Sequence, residues 1–257
     1  MRLGTRASAL ALAQAGMVAA LLGADAQLVP VTTSGDRASG ARVHDKERWV
    51  KELELALLDG AIDLAVHSAK DVPSVLPAGL ELVGAPSRAN PYDALVGAGS
   101  IDALGEGARI GTSSLRRAAQ LRALREDLDV ITIHGNVDTR LRRLDEGKLD
   151  ALVLAAAGLA RLDRGDAIGA VLIELVPAPG QGTLVLEARA GDERARGAAR
   201  AVTDRATWSA LCAERALVAR LHASCNTPLG AHATIGGGGI VLRTFVGLPD
   251  GSAWLRD

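Results

Sequence analysis

The chain has 257 residues, with 29 Lys and Arg against 30 Asp and Glu, and a formal net charge of −1 gives no bulk electrostatic reason for a nucleic-acid or anionic-membrane partner. Aromatic residues make up 2% of the chain, too few for a sugar-stacking groove or a base-stacking platform. An apolar content of 48% over this length is enough for two or three small domains with real cores. At the N-terminus, Arg2 and Arg6 precede a mostly apolar run from Ala7 to Leu22, and Ala24-Asp25-Ala26 has the small residues of a leader-peptide cleavage site. Gln14 and Gly16 interrupt that run, while Leu10, Ala13, Met17 and Leu21 recur at helical spacing, as in an amphipathic core helix. No other segment reaches the length of a membrane span. Two dissimilar cysteines without a disulfide framework make the cytoplasm the expected compartment.

An α/β rhythm follows. The patterning predicts a strand over 28–32, a helix over 49–58 ended near Gly60, and a buried strand over 62–66. The stretch holding Pro86, Asn90, Pro91, Gly97, Gly99 and Gly105 has the composition of a linker, which sets a domain boundary near residue 88. The alternation resumes with a strand at 109–111, a helix from Leu115, a strand at 130–133, a helix over 137–146 and a strand at 151–154. Pro177-Ala178-Pro179-Gly180-Gln181-Gly182 is a second break, before a strand over 183–187 and a helix around 192–203 where the chain is expected to cross back. A helix from Thr207, a loop around Cys225 and two strands over 231–235 and 240–246 make a third, small α+β unit.

Polar residues just beyond the carboxyl ends of such strands are candidate ligand contacts. The first group is His67-Ser68-Ala69-Lys70-Asp71, where Lys70 can neutralise an anion and Asp71 can face a cation, or where Asp71 simply caps a turn. Gly111-Thr112-Ser113-Ser114-Leu115-Arg116-Arg117 joins a helix N-terminus to two guanidinium forks, suited to a carboxylate or phosphate; two surface arginines on a solvated helix start are the plainer reading. His134-Gly135-Asn136-Val137-Asp138-Thr139-Arg140 repeats the arrangement, and Gly4-Thr5-Arg6-Ala7-Ser8 is a fourth candidate. Together they describe a cleft for a small polyanion that also carries a cationic centre, in a binding protein or in an enzyme.

Cys225 lies in the irregular segment His222–Gly230, so its sulfur should be reachable. Three readings are open: an incidental thiol, a metal ligand with His222 and His232 and with Cys212 as a further candidate, or a site of covalent attachment or nucleophilic catalysis. The spacing disfavours zinc. Cys212 falls on a helical pattern with Trp208, Leu211 and Val218 and is expected to be a buried, inert hydrophobe.

Seven segments occur in one order: GTRASALAL (4–12), VKELELALLDG (50–60), HSAKDVP (67–73), GTSSLRR (111–117), GNVDTRLRRLD (135–145), PAPGQG (177–182) and SCNTPLGA (224–231). In this the chain closely resembles the hydroxymethylbilane synthase, or porphobilinogen deaminase, family over nearly its whole length. The resemblance implies two periplasmic-binding-protein-like α/β domains around a cleft and a small α+β C-terminal domain, divided as 1–87 with 183–203, 88–182, and 204–257, the last shortened relative to the family. It implies a cytoplasmic transferase of porphyrin, tetrapyrrole and heme biosynthesis. That enzyme joins four porphobilinogens into hydroxymethylbilane with release of ammonia, and is expected to be a monomer without nucleic-acid or membrane partners. It further implies a dipyrromethane cofactor held by a thioether to Cys225, a catalytic Asp71, and ligand-binding roles for Arg6, Ser8, Ser68, Lys70, Thr112, Ser114, Arg116, Arg117 and Arg140. The chain departs from the family's pattern at 44–49, at Ala69, at His134 and at Ala223-Ser224. A degenerate relative, or a solute-binding protein for a small polycarboxylate, is the competing expectation.

Overall fold

The computed structural model describes residues 1–31, 50–224 and 226–257. In chain order its elements begin with β1 (Arg2–Arg6), α1 (Ala9–Leu22), β2 (Gln27–Val31), α2 (Lys51–Leu58), β3 (Leu64–Ser68), one 3-10 turn at Ala69–Asp71, and β4 (Leu80–Gly84). There follow β5 (Asp93–Val96), β6 (Arg109–Gly111), α3 (Leu115–Leu124), β7 (Asp129–Ile131), α4 (Val137–Asp145), β8 (Ala151–Ala155), α5 (Ala156–Arg161) and β9 (Ala170–Leu172). The chain then runs through β10 (Leu184–Arg189), α6 (Glu193–Val202), α7 (Arg205–Arg220), β11 (Leu229–Gly236), β12 (Gly239–Gly247) and β13 (Trp254–Arg256).

These strands build three sheets, in the orders β2-β1-β3-β10-β4, β7-β6-β8-β5-β9 and β11-β12-β13. In the first, β1 runs parallel to β2 and β3, while β10 enters antiparallel between β3 and β4. The second is built alike: β6 runs parallel to β7 and β8, and β5 lies antiparallel between β8 and β9. Near-continuous apolar strands such as β3 and β8 are buried on both faces, as expected of sheets covered by helices. Each large sheet has its own core: Leu3, Ala15, Val18, Leu64 and Leu186 in the first, and Leu95, Ile110, Leu121 and Val153 in the second.

The structure corrects three expectations. Helix α1 buries Ala11, Gln14, Ala15 and Val18, whereas Met17 and Leu21 are exposed. A helix that is apolar nearly all round gives its stripe no direction, and the small side chains of Ala11 and Ala15 let it approach the sheet closely. Cys212 is exposed, not a core residue, because the buried face of α7 runs through Thr207, Ala210, Leu211 and Glu214, and one further residue turns the chain about 100° away. The stretch expected to be linker contains β5, a fully buried strand near the middle of the second sheet.

Candidate functional site

The polar segments singled out in the sequence do fall at strand-to-helix junctions. Ser8 caps α1 and accepts a hydrogen bond from the Ala11 amide at 3.4 Å, and Ser114 does the same for α3 from the Arg117 amide at 3.4 Å. Asn136 caps α4, accepting from the Thr139 amide at 2.9 Å. Each cap leaves the first turn of a helix and its amide donors at the end of a parallel strand, where anions are favoured.

One cavity, about 420 Å³ including the part open to solvent, is lined by Arg6, Ser8, Gln14, His67, Ser68 and Asp71 among others. It lies over the carboxyl ends of β1 and β3. Gln14, which the sequence presented only as an interruption, is buried and donates to Ser68 Oγ at 2.9 Å. Behind it, His67 Nε2 is 2.9 Å from Glu187 Oε2 in a pair almost fully removed from solvent.

In the second domain Arg116 and Arg117 are neither surface residues nor open forks. Both are buried against Asp93, the first residue of β5, which has no exposed surface. Arg117 donates from Nε to Asp93 Oδ1 at 2.9 Å and from Nη1 to the Val153 carbonyl at 2.9 Å. Arg116 Nη1 donates to the Val176 carbonyl at 2.7 Å and lies 2.8 Å from Asp93 Oδ2. Burial alone would raise the Asp93 carboxyl, but the charges of Arg116 and Arg117 outweigh it and hold the group well below the ordinary carboxylate range. Burial pushes the Arg117 guanidinium down, an effect partly offset by Asp93. Two cations sharing one anion leave a surplus of positive charge at this wall.

Arg140 carries that surplus toward α4. It donates from Nε to the Gly135 carbonyl at 2.9 Å and from Nη2 to Ser113 Oγ at 3.0 Å. Burial, with repulsion from Arg117 and Arg143, lowers its pKa to about 10. Thr112 is buried and accepts from the Ser114 amide at 3.2 Å, so it shapes the turn before α3. His134 is exposed.

Residues 177–182 join the two walls. At Gly180 (φ +73°) a Cβ would sit 2.9 Å from Ala69 Cβ and 3.0 Å from Lys70 N. At Gly182 (φ +85°) it would sit 2.6 Å from the Ala89 carbonyl oxygen. Both the left-handed backbone and the close approach therefore require glycine. Gln181 between them accepts from Lys70 Nζ at 3.2 Å and donates to Asp93 Oδ1 at 2.9 Å. Sequence reasoning missed Asp93, Gln181 and Arg161. Arg161 is half-buried, its pKa lowered by desolvation, and it donates to the Gly182 carbonyl at 2.7 Å. A lone arginine at the end of a helix, a glutamine within a Pro/Gly segment and an aspartate in apparent linker carry no distinguishing signal.

The small third sheet packs on α7. Glu214 of that helix is fully buried and accepts from Arg88 Nη1 at 2.6 Å, the Gly180 amide at 2.6 Å and the Ala233 amide at 2.7 Å. His232, one of the sequence's metal-ligand candidates, is buried edge-on to Tyr92, with ring centroids 5.7 Å apart. Cys225 lies outside the described residues. On either side of it, the Ser224 amide donates to Thr227 Oγ1 at 3.1 Å and the Asn226 amide to Ser224 Oγ at 3.2 Å.

Two α/β units built on the same sheet plan, joined by crossing segments and framing a cationic cleft, define a protein of the periplasmic-binding-protein class of folds. In keeping with this, a solved structure described as the methionine-binding protein MetQ matches at a TM-score of 0.51 and 14% identity, over 84% of this chain and 95% of that one. The family model described as porphobilinogen deaminase, dipyromethane cofactor binding domain, matches residues 1–197, and that for the C-terminal domain of porphobilinogen deaminase matches residues 208–256. Proteins named porphobilinogen deaminase are similar across the whole length. The one from Syntrophotalea carbinolica is 48% identical over 100% of this chain and 85% of its own length, and that from Roseiflexus sp. 49% identical over 97% and 86%. The one from Deinococcus radiodurans is 46% identical over 98% and 87%. The chain belongs to the porphobilinogen deaminase family.

Proposed function

We propose that this chain is a hydroxymethylbilane synthase, joining four porphobilinogens head to tail into a linear tetrapyrrole and releasing four ammonias on a dipyrromethane cofactor. The observation that carries the reading is the make-up of the cleft: one carboxylate, Asp71, shares a cavity with Arg6, Ser8 and Ser68. Porphobilinogen carries an acetate and a propionate, so a growing chain accumulates carboxylates and needs cations and helix N-termini along its path. Arg140 fits such a ligand, because a guanidinium whose pKa is lowered by burial and by neighbouring cations is stabilised by an arriving carboxylate.

The dipyrromethane, held by a thioether to Cys225, supplies a fixed pyrrole end on which the chain is lengthened. Arg6, Ser8 and Ser68 bind carboxylates from the first wall, and Lys70 joins them from the turn after β3. Thr112 and Ser114 orient the first turn of α3. Arg116 and Arg117, whose donors are directed at Asp93 and at main-chain carbonyls, act chiefly through charge, and Arg140 by direct hydrogen bonds. Asp71 offsets the positive charge that develops as ammonia leaves the aminomethyl carbon of porphobilinogen, and accepts a proton as the pyrrole recovers its aromaticity. The domain division 1–87 with 183–203, 88–182 and 204–257 allows these walls to move about the crossing segments.

The enzyme is proposed to work as a monomer in the cytoplasm. Among the described residues no helix is long and apolar enough to cross a membrane. Intact mass and the colour reaction of pyrroles with an acidic aldehyde reagent test the assignment. The purified protein should exceed its sequence mass by one dipyrromethane, Cys212→Ser should keep that excess and Cys225→Ser should lose it. An active protein with unmodified Cys225 would overturn the reading.

A further inference from the structure

Gln181 is 1% exposed and its single amide group faces both walls of the cleft. Oε1 accepts from Lys70 Nζ at 3.2 Å, and Nε2 donates to Asp93 Oδ1 at 2.9 Å and to the Pro91 carbonyl at 2.8 Å. The amide cannot be turned over without setting its NH2 against an ammonium and its oxygen against a carboxylate. Its backbone is fixed as well: the Gln181 carbonyl accepts from Arg88 Nε at 2.8 Å, and Gly180 and Gly182 are wedged against the 69–70 and 89–90 backbones. Asp93, in turn, is the anion on which Arg116 and Arg117 converge.

We propose that Gln181 is a positioning residue that ties the placement of Lys70 on one wall to that of the arginine pair on the other, so that the carboxylate-binding groups of both domains are held in register. The inference rests on the reading that Lys70 binds ligand carboxylates. A buried amide with two charged partners does this without adding charge, which a carboxylate or an amine at 181 could not do beside both Asp93 and Lys70. Gln181 touches neither substrate nor cofactor in this role. Its effect on turnover passes through Lys70 and Asp93.

The test is a double-mutant cycle on the cofactor-bearing enzyme, with porphobilinogen consumption as the readout. Gln181→Met keeps the side-chain length and removes the hydrogen bonds. Because hydrogen bonds to charged groups are the strong ones, it should lower kcat/KM about tenfold to a hundredfold, mainly through KM. In a Lys70→Met background the same change should cost clearly less, because the part of its effect that passes through Lys70 is gone and only the part through Asp93 remains. Equal costs in both backgrounds would overturn the proposal while leaving the site assignment intact. A Lys70→Met enzyme with unaltered kcat/KM would instead remove Lys70 from the site and the proposal with it. Gln181→Glu provides a second measurement should Gln181→Met not fold. The charged groups around it are Lys70, Arg88, Asp93, Arg116 and Arg117, and only its protonated carboxyl can donate to Asp93. Its kcat/KM relative to the parent should therefore rise as pH falls. A ratio independent of pH would overturn the coupling to Asp93.

Discussion

Glu214→Gln is the sharpest test of how the third domain is fastened to the other two. Glu214 Oε1 accepts from Arg88 Nη1 and from the Ala233 amide, and Oε2 from the Gly180 amide at 2.6 Å and Arg88 Nη2 at 3.3 Å. Glutamine is nearly isosteric, yet whichever oxygen its NH2 replaces, a buried main-chain donor, Ala233 N or Gly180 N, meets another donor. An unsatisfied buried N–H costs about 1–3 kcal/mol, and Arg88, only 11% exposed, loses its anion as well. Breaking one side of a buried ion pair costs about 3–5 kcal/mol. A destabilisation of about 3 kcal/mol corresponds to a Tm lower by roughly 6–12 °C in a chain of this size. Thermal unfolding should be followed by two probes, circular dichroism and Trp fluorescence, because a three-domain protein need not unfold in one step. The drop should appear in the transition that reports α7 and the third sheet. A Tm within about 2 °C of the parent by both probes would refute the reasoning.

His232 sits against Tyr92, with its pKa lowered from 6.5 to about 4 by burial and by the charges of Arg88 and Arg243. The folded imidazole binds its proton less readily than the unfolded one, so its contribution to stability is full above about pH 6.5 and is lost progressively as pH falls toward 4, to a limit of about 2 kcal/mol after allowance for solvent screening. His232→Phe should flatten the stability-against-pH curve across that window, and an unchanged slope would show that His232 plays no part in it. Asp71→Asn should retain the cofactor and lose roughly two to three orders of magnitude in turnover; near-normal rates would remove Asp71 from the chemistry. Cys212→Ser should change unfolding free energy by less than about 0.5 kcal/mol, as for an exposed position, and a core-sized loss would restore the buried reading.

Elements with a strong apolar period were legible: the strand at 109–111 and the helix from Leu115 agree with β6 and α3, and the helix over 137–146 lies within one residue of α4. β4 and β13 gave no usable signal. β13 is three exposed residues at a sheet edge, and its place depends on β12, not on its own sequence. The residues expected on the cleft's first wall could be read because Arg6 and Ser68 end strands, and Ser8 and Asp71 come within three residues after them. The second wall was read only in part: two adjacent arginines look alike whether they face water or a buried anion. The deciding residue, Asp93, is 23 positions away from Arg116 in a segment rich in Pro and Gly.

The position of β10 bears on how the chain can be made. Among the described residues β4 reaches the first sheet only through β10, and β3 meets its second neighbour only when residues 184–187 arrive. During synthesis, at about 5–20 residues per second, the apolar edge of Leu64-Ala65-Val66 therefore waits roughly 6–24 s for a strand encoded some 120 residues later. All of the second sheet is translated in that interval. It can close on itself, because its strands lie between residues 93 and 172. The second domain is thus free to fold first, while the first keeps an unpaired strand edge of the kind that invites intermolecular pairing. Slowing translation between β4 and β10 should lengthen that exposure and raise the chain's dependence on chaperones.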